Sequence, residues 1–97
     1  MKYLPSVVQA IPMDDFCICA YFSDGAIKRF DVKPLIARGG VFAQLADADF
    51  FEDRLTVMNM TAAWDVTGDR NEYKCIDIDP CALYERSVDV EDPLKSA

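Results

Sequence analysis

The sequence predicts one α+β domain, a mainly antiparallel sheet of five or six strands with two or three short helices. Three observations carry that expectation. "FCICAYF" and "AIKRFDV" flank the turn residues Ser23-Asp24-Gly25, as in a β-hairpin. "DVKPLIARGG" and "DPCALYERS" each set an Asp and a Pro before a helix-forming run, and the first ends on two glycines. The chain has 97 residues and is 52% hydrophobic, which suits one packed core. The expected domain covers residues 1–87, with 88–97 as a loose acidic tail.

The strands follow in order. "VVQAIPM" (Val7–Met13) is β-branched at its start and closes near Pro12. Asp14-Asp15 make a turn. "FCICAYF" (Phe16–Phe22) is apolar throughout, the pattern of a strand covered on both faces. The register of its hairpin is decided by side-chain segregation. A two-residue Asp24-Gly25 turn would pair Phe22 with Ile27 and mix charge into both faces. A three-residue turn, Ser23-Asp24-Gly25, pairs Phe22 with Ala26, Ala20 with Lys28, Ile18 with Phe30 and Phe16 with Val32. That register gathers the large apolar groups on one face and leaves Cys17, Cys19, Tyr21, Ile27, Arg29 and Asp31 on the other. Lys28 is the misfit on the apolar side, and its stem can carry the charge to water. Gly25 then takes the left-handed position of the turn.

Helices come next. Asp31 is placed to cap a helix through "VKPLIAR", ended by Gly39-Gly40. "VFAQL" is a helical turn, and Asp47 caps a second short helix through "ADFFED". "RLTVMNM" (Arg54–Met60) reads as a strand. "AAWDV" (Ala62–Val66) and "EYKCIDI" (Glu72–Ile78) read as a hairpin around the polar turn 67–71. Asp79-Pro80 opens the last helix.

Charge and residue content exclude several functions. Acidic residues outnumber basic ones 17 to 10, for a formal charge of −7, and no basic run offsets this. Nucleic acid and anionic membrane surfaces are therefore not expected partners. The N-terminal stretch lacks an uninterrupted apolar run, no segment has the length of a membrane span, and a cytoplasmic location is expected. There is no histidine, so His-dependent triads and His–metal sites are ruled out.

Four cysteines remain. Cys17 and Cys19 lie on one strand face about 7 Å apart, and five residues separate Cys75 from Cys81; neither spacing makes a zinc knuckle. Reduced cysteine is a small apolar filler, and packing is the expected role of the pair, buried and reduced. Asp77 with Asp79, and the cluster "DADFFED", could hold Mg²⁺ or act in acid–base chemistry. Helix capping explains Asp79 and Asp47 more simply. "DVTGDRNE" lacks the alternation of a calcium loop, and no P-loop or dinucleotide fingerprint is present. No catalytic residue, metal ligand or cofactor is expected. Trp64 and Tyr84 are the candidate residues of an interaction surface.

Taken in order, "YFSDGAIKRFDVKPLI", "GGVFAQLAD" with a following "FF", Trp64 and "IDIDPCALYE" resemble the small bacterial domain-of-unknown-function family 2442. The resemblance rests on Phe22, Asp24, Gly25, Asp31, Pro34, Leu35, Phe42, Leu45, Trp64, Asp79, Pro80, Leu83 and Tyr84, over residues 5 to 86. Similar proteins pass quickly from the Trp to the Asp-Pro segment, whereas "DVTGDRNEYK" intervenes here. The resemblance implies this fold, a bacterial setting and a partner-binding role, with no assigned activity. The functional expectation is a non-catalytic accessory or protein-interaction module that forms a homodimer, through an edge strand or the surface around Trp64. The alternative is a small metal-binding protein or enzyme using carboxylates or thiols.

Overall fold

The computed structural model describes residues 5–71 and 73–94. Within them the chain forms β1 (Val7–Met13), β2 (Cys17–Phe22), β3 (Ile27–Asp31), α1 (Lys33–Arg38), a 3₁₀ segment (Gly40–Ala46), α2 (Ala48–Asp53), β4 (Leu55–Met58), β5 (Thr61–Trp64), β6 (Ile76–Asp77), α3 (Pro80–Arg86) and β7 (Val88–Asp89). The α+β class holds, but the single expected sheet is two antiparallel sheets, β1-β2-β3-β7 and β4-β5-β6.

The division has a local cause. β1 lies beside β4, and among the described residues the backbone bond at that junction runs from the Val7 N–H to Met60 O, just past the end of β4, at 3.0 Å. A register shift between Val7 and Gln9 bulges Val8 out of the ladder, and Pro12 has no N–H to offer. Both interruptions weaken β1 as a ladder strand, and the two sheets stay separate.

The β2–β3 hairpin has the three-residue register. Ile18 pairs with Phe30 and Ala20 with Lys28, and Phe22 N–H donates to Ala26 O at 2.9 Å. Gly25 sits at φ +91°, in the left-handed region that glycine enters freely. Phe16 departs from its expected place in the strand: it closes the preceding turn at φ +56°. Its carbonyl still accepts the Val32 N–H, which extends the pairing past the strand's end.

Helix starts divide between side chain and backbone. Asp47 accepts the N–H groups of Asp49 and Phe50, the expected cap. Asp31 acts one residue earlier than expected. Val32 occupies the cap position, and Asp31 Oδ1 accepts the Lys33 N–H at 3.0 Å. Asp79 makes no side-chain cap; only its carbonyl serves α3, accepting the Leu83 N–H.

The reading of Arg54–Met60 as one strand also needs correction. β4 stops at Met58, and Asn59-Met60 form a two-residue turn into β5, with φ of +56° and +63°. Those angles define the turn type that prefers Asn-Gly. Methionine is not a turn signal, so the sequence hid the hairpin. The later hairpin exists, with Trp64 opposite Ile76, but β6 is only two residues long and Glu72 lies outside the described residues. Where a loose tail is expected from residue 88, Val88 and Asp89 pair with β3. Lys95–Ala97 lie outside the described residues.

The core lies between the sheets and under the helices. Ile18, Phe22, Phe30 and Val32 meet Trp64, Ile76 and Ile78, closed by Leu45, Phe51 and Leu83. No described helix is long and apolar enough to cross a membrane.

Candidate functional site

Trp64 is not on the surface. It is fully buried, and its Nε1–H donates to Phe51 O at 3.0 Å. Its ring lies 5.5 Å from that of Phe51, which stands edge-on to Phe16 at 5.3 Å. The indole therefore fastens α2 to β5. The alternation of β5 aims it at the shared core, a direction that sequence alone left open between core and interface.

Tyr84 is half-buried and works within the chain. Its hydroxyl donates to Asp24 Oδ2 at 2.7 Å, and its ring packs edge-on against Phe22 at 4.9 Å. Lys28 Nζ stands 4.7 Å from the ring centroid and pairs with Asp89 at 2.8 Å. The misfit lysine of the apolar face thus finds a place over an aromatic ring. Tyr84 holds the Asp24 carboxyl below its usual range, with further help from the Ala26 N–H. Asp24 in turn pushes the Tyr84 phenol up. The "FSDG" turn and the "DPCALY" helix, separated by about half the chain, are joined at this point.

The cysteines are free and dispersed. Cys17 and Cys19 are buried, but on the face of β2 turned away from the main core. Arg29 Nη2 donates to Cys17 Sγ at 3.4 Å. Burial pushes the Cys19 thiol up. Nearby, the Tyr21 hydroxyl donates to Asp92 at 2.7 Å, which ties the segment after β7 to this face. Cys75 receives the Asn59 amide and Cys81 faces Glu85 on α3. Asp77 is exposed beside Asn59, at 3.4 Å. Among the described residues no group of three or more Cys, Asp or Glu stands close enough to hold a metal ion.

The polar loop after β5 is ordered by two residues that the sequence did not single out. Asp65 accepts the N–H groups of Gly68 and Arg70 at 2.9 and 3.1 Å. Arg70 returns to β4, donating to Thr56 Oγ1 and Val57 O, both at 2.9 Å.

Arg70 also borders the surface where the sheets meet. A cavity of about 390 Å³ there is lined by Val7, Val57, Met58 and the Asn59-Met60 turn. Beside it two apolar residues face solvent: Val8, on the bulge, is 62% exposed and Met60, on the turn, 70%. The Val7 N–H, next to Val8, donates to Met60 O and joins the two segments. Neither signal was legible in the sequence, because a bulge and a Met-bearing tight turn have no composition signature.

This two-sheet arrangement, with a hairpin and a C-terminal helix locked through Asp24 and Tyr84, defines a small α+β domain class. The chain belongs to the family described as a protein of unknown function, DUF2442, whose model matches residues 7–89. No curated protein and no solved structure matches it.

Proposed function

We propose that this domain is a non-catalytic interaction module whose contact surface centres on Val8 and Met60, and that a second copy of the chain is its partner. One observation carries the reading. Met60 is held in a left-handed conformation that favours glycine, yet its side chain is 70% exposed and contributes little to the core. The turn accounts for the backbone, but not for a large apolar side chain kept in solvent beside exposed Val8, and such a patch marks a contact surface.

A second copy is favoured by charge. Two chains of −7 repel except where charges are sparse. Ser6–Met13 and Val57–Trp64 contain no charged residue, and they supply both sides of this surface. Closed two-fold dimers are the commonest soluble assemblies. Of the routes expected from sequence, the uncharged edge strand Val7–Met13 is part of this surface, and the others are less suited. Trp64 is buried, β6 and β7 are two-residue edges, and β4 lies beside β1. Very short edge strands are a device against pairing.

The reading places the module in the bacterial cytoplasm, supported by four free cysteines, and gives it no direct contact with nucleic acid, supported by its acidity. Val8→Lys tests it. A charge on the bulge is expected to convert the dimer to monomer in size exclusion and to leave an unfolding midpoint that no longer depends on protein concentration. Unchanged dimerisation would exclude this surface.

A further inference from the structure

A separate cavity of about 310 Å³ lies where α1 and the 3₁₀ segment approach α3. Its floor is Phe30, Leu35, Phe42 and Ile78, and its rim carries Arg38, Arg86 and Asp79. Both arginines are exposed, and neither makes an ion pair or hydrogen bond among the described residues. Lys28 and Lys33, by contrast, pair with Asp89, Asp15 and Asp31.

Each arginine occupies the last turn of its helix, where a cation suits the helix dipole. The dipole explains their position along the helices. It does not explain why two uncommitted guanidinium groups, in a chain of net charge −7, border the same apolar hollow. Guanidinium is the side chain best shaped to grip a carboxylate. Two guanidiniums and one carboxylate leave the rim with one positive charge, which matches a monoanion. The volume sits at the small end of ligand cavities, about 300–1,000 Å³, and suits a free small molecule better than a folded partner.

We infer that this cavity binds a small amphipathic monocarboxylate, its head held by Arg38 and Arg86 and its single ring or short chain laid over Phe30, Leu35, Phe42 and Ile78. This site is separate from the Val8–Met60 surface and stands whether or not the chain dimerises.

The test is an NMR titration of ¹⁵N-labelled full chain with 4-phenylbutyrate, with 4-phenylbutanamide as the uncharged counterpart. Saturable shifts are expected at the amides of Leu35, Phe42 and Ile78, which line the cavity. The uncharged compound should bind at least about ten-fold more weakly, as the loss of charge-assisted hydrogen bonds requires. The double variant R38Q/R86Q should show the same loss with spectrum dispersion retained, and R38K/R86K should recover part of it. Added salt should weaken phenylbutyrate and leave the amide compound unaffected. No saturable shift, shifts confined to other surfaces, or equal binding of the two compounds would overturn the assignment. Met60→Gly should leave this titration unchanged, which separates failure here from failure of the dimer.

Discussion

Gly25 holds φ +91° with nothing within 4 Å of where a Cβ would stand, so the backbone alone decides what the position accepts. Gly25→Val is expected to destabilise the fold by about 1–2 kcal/mol, measured by urea unfolding. A smaller loss from valine than from alanine would contradict the conformational explanation. Met60 presents the converse case. Met60→Gly weakens self-association but relieves the left-handed turn, and at dilutions where both chains are monomeric it should raise stability by about 1 kcal/mol. A variant that loses stability would show that the methionine serves packing.

The Asp24–Tyr84 bond gives a pH signature. Asp24 is held low chiefly by the Tyr84 hydroxyl, so its contribution is complete above the ordinary carboxylate value of about 3.9 and is lost as pH falls through the lowered one. The phenol is raised, so its contribution is complete below about 10 and fades as pH rises through the raised value. Tyr84→Phe should move the Asp24 titration, followed by carboxyl-carbon NMR, upward toward the ordinary value. An unmoved titration would remove Tyr84 as the main cause.

Between elements, the Trp64–Phe51 link ties α2 to the core. Trp64→Phe keeps an aromatic ring but leaves the buried Phe51 carbonyl without its donor. An unsatisfied buried acceptor costs about 1–3 kcal/mol, readable as a lower urea midpoint. What the sequence revealed at this scale followed from local chemistry. The hairpin register was legible because one alternative mixed charge into both faces, and Asp47 was legible as a cap because its helix begins at once. Asp79 misled because its carbonyl, not its carboxylate, serves the helix. The Asn59-Met60 turn was hidden because its strain is tolerated without a glycine. The separation into two sheets was hidden because it depends on one hydrogen bond, one bulge and one proline. Trp64 was ambiguous because the face of a strand is fixed only by its partners. Of the candidate surface, the sequence showed that Val7–Met13 is free of charge; it could not show that Val8 turns outward.

At the level of the whole molecule, burial sorts the four thiols. Cys17 and Cys19 are 3% and 0% exposed, whereas Cys75 and Cys81 are half-buried. A bulky thiol reagent on native protein, read by mass spectrometry of the digest, should label Cys75 and Cys81 first and reach the β2 pair only on unfolding. Equal rates at all four would contradict the packing role.

The strands that meet at the junction of the two sheets carry no charge in an acidic molecule, with Arg70 at its border, and the proposed function rests on what meets there. Light scattering coupled to size exclusion at tens of micromolar tests this most directly. The account predicts a mass near twice the chain's 10.9 kDa, falling toward the single-chain value in Val8→Lys and Met60→Gly. A mass of 10.9 kDa for the unaltered chain across dilution would contradict it.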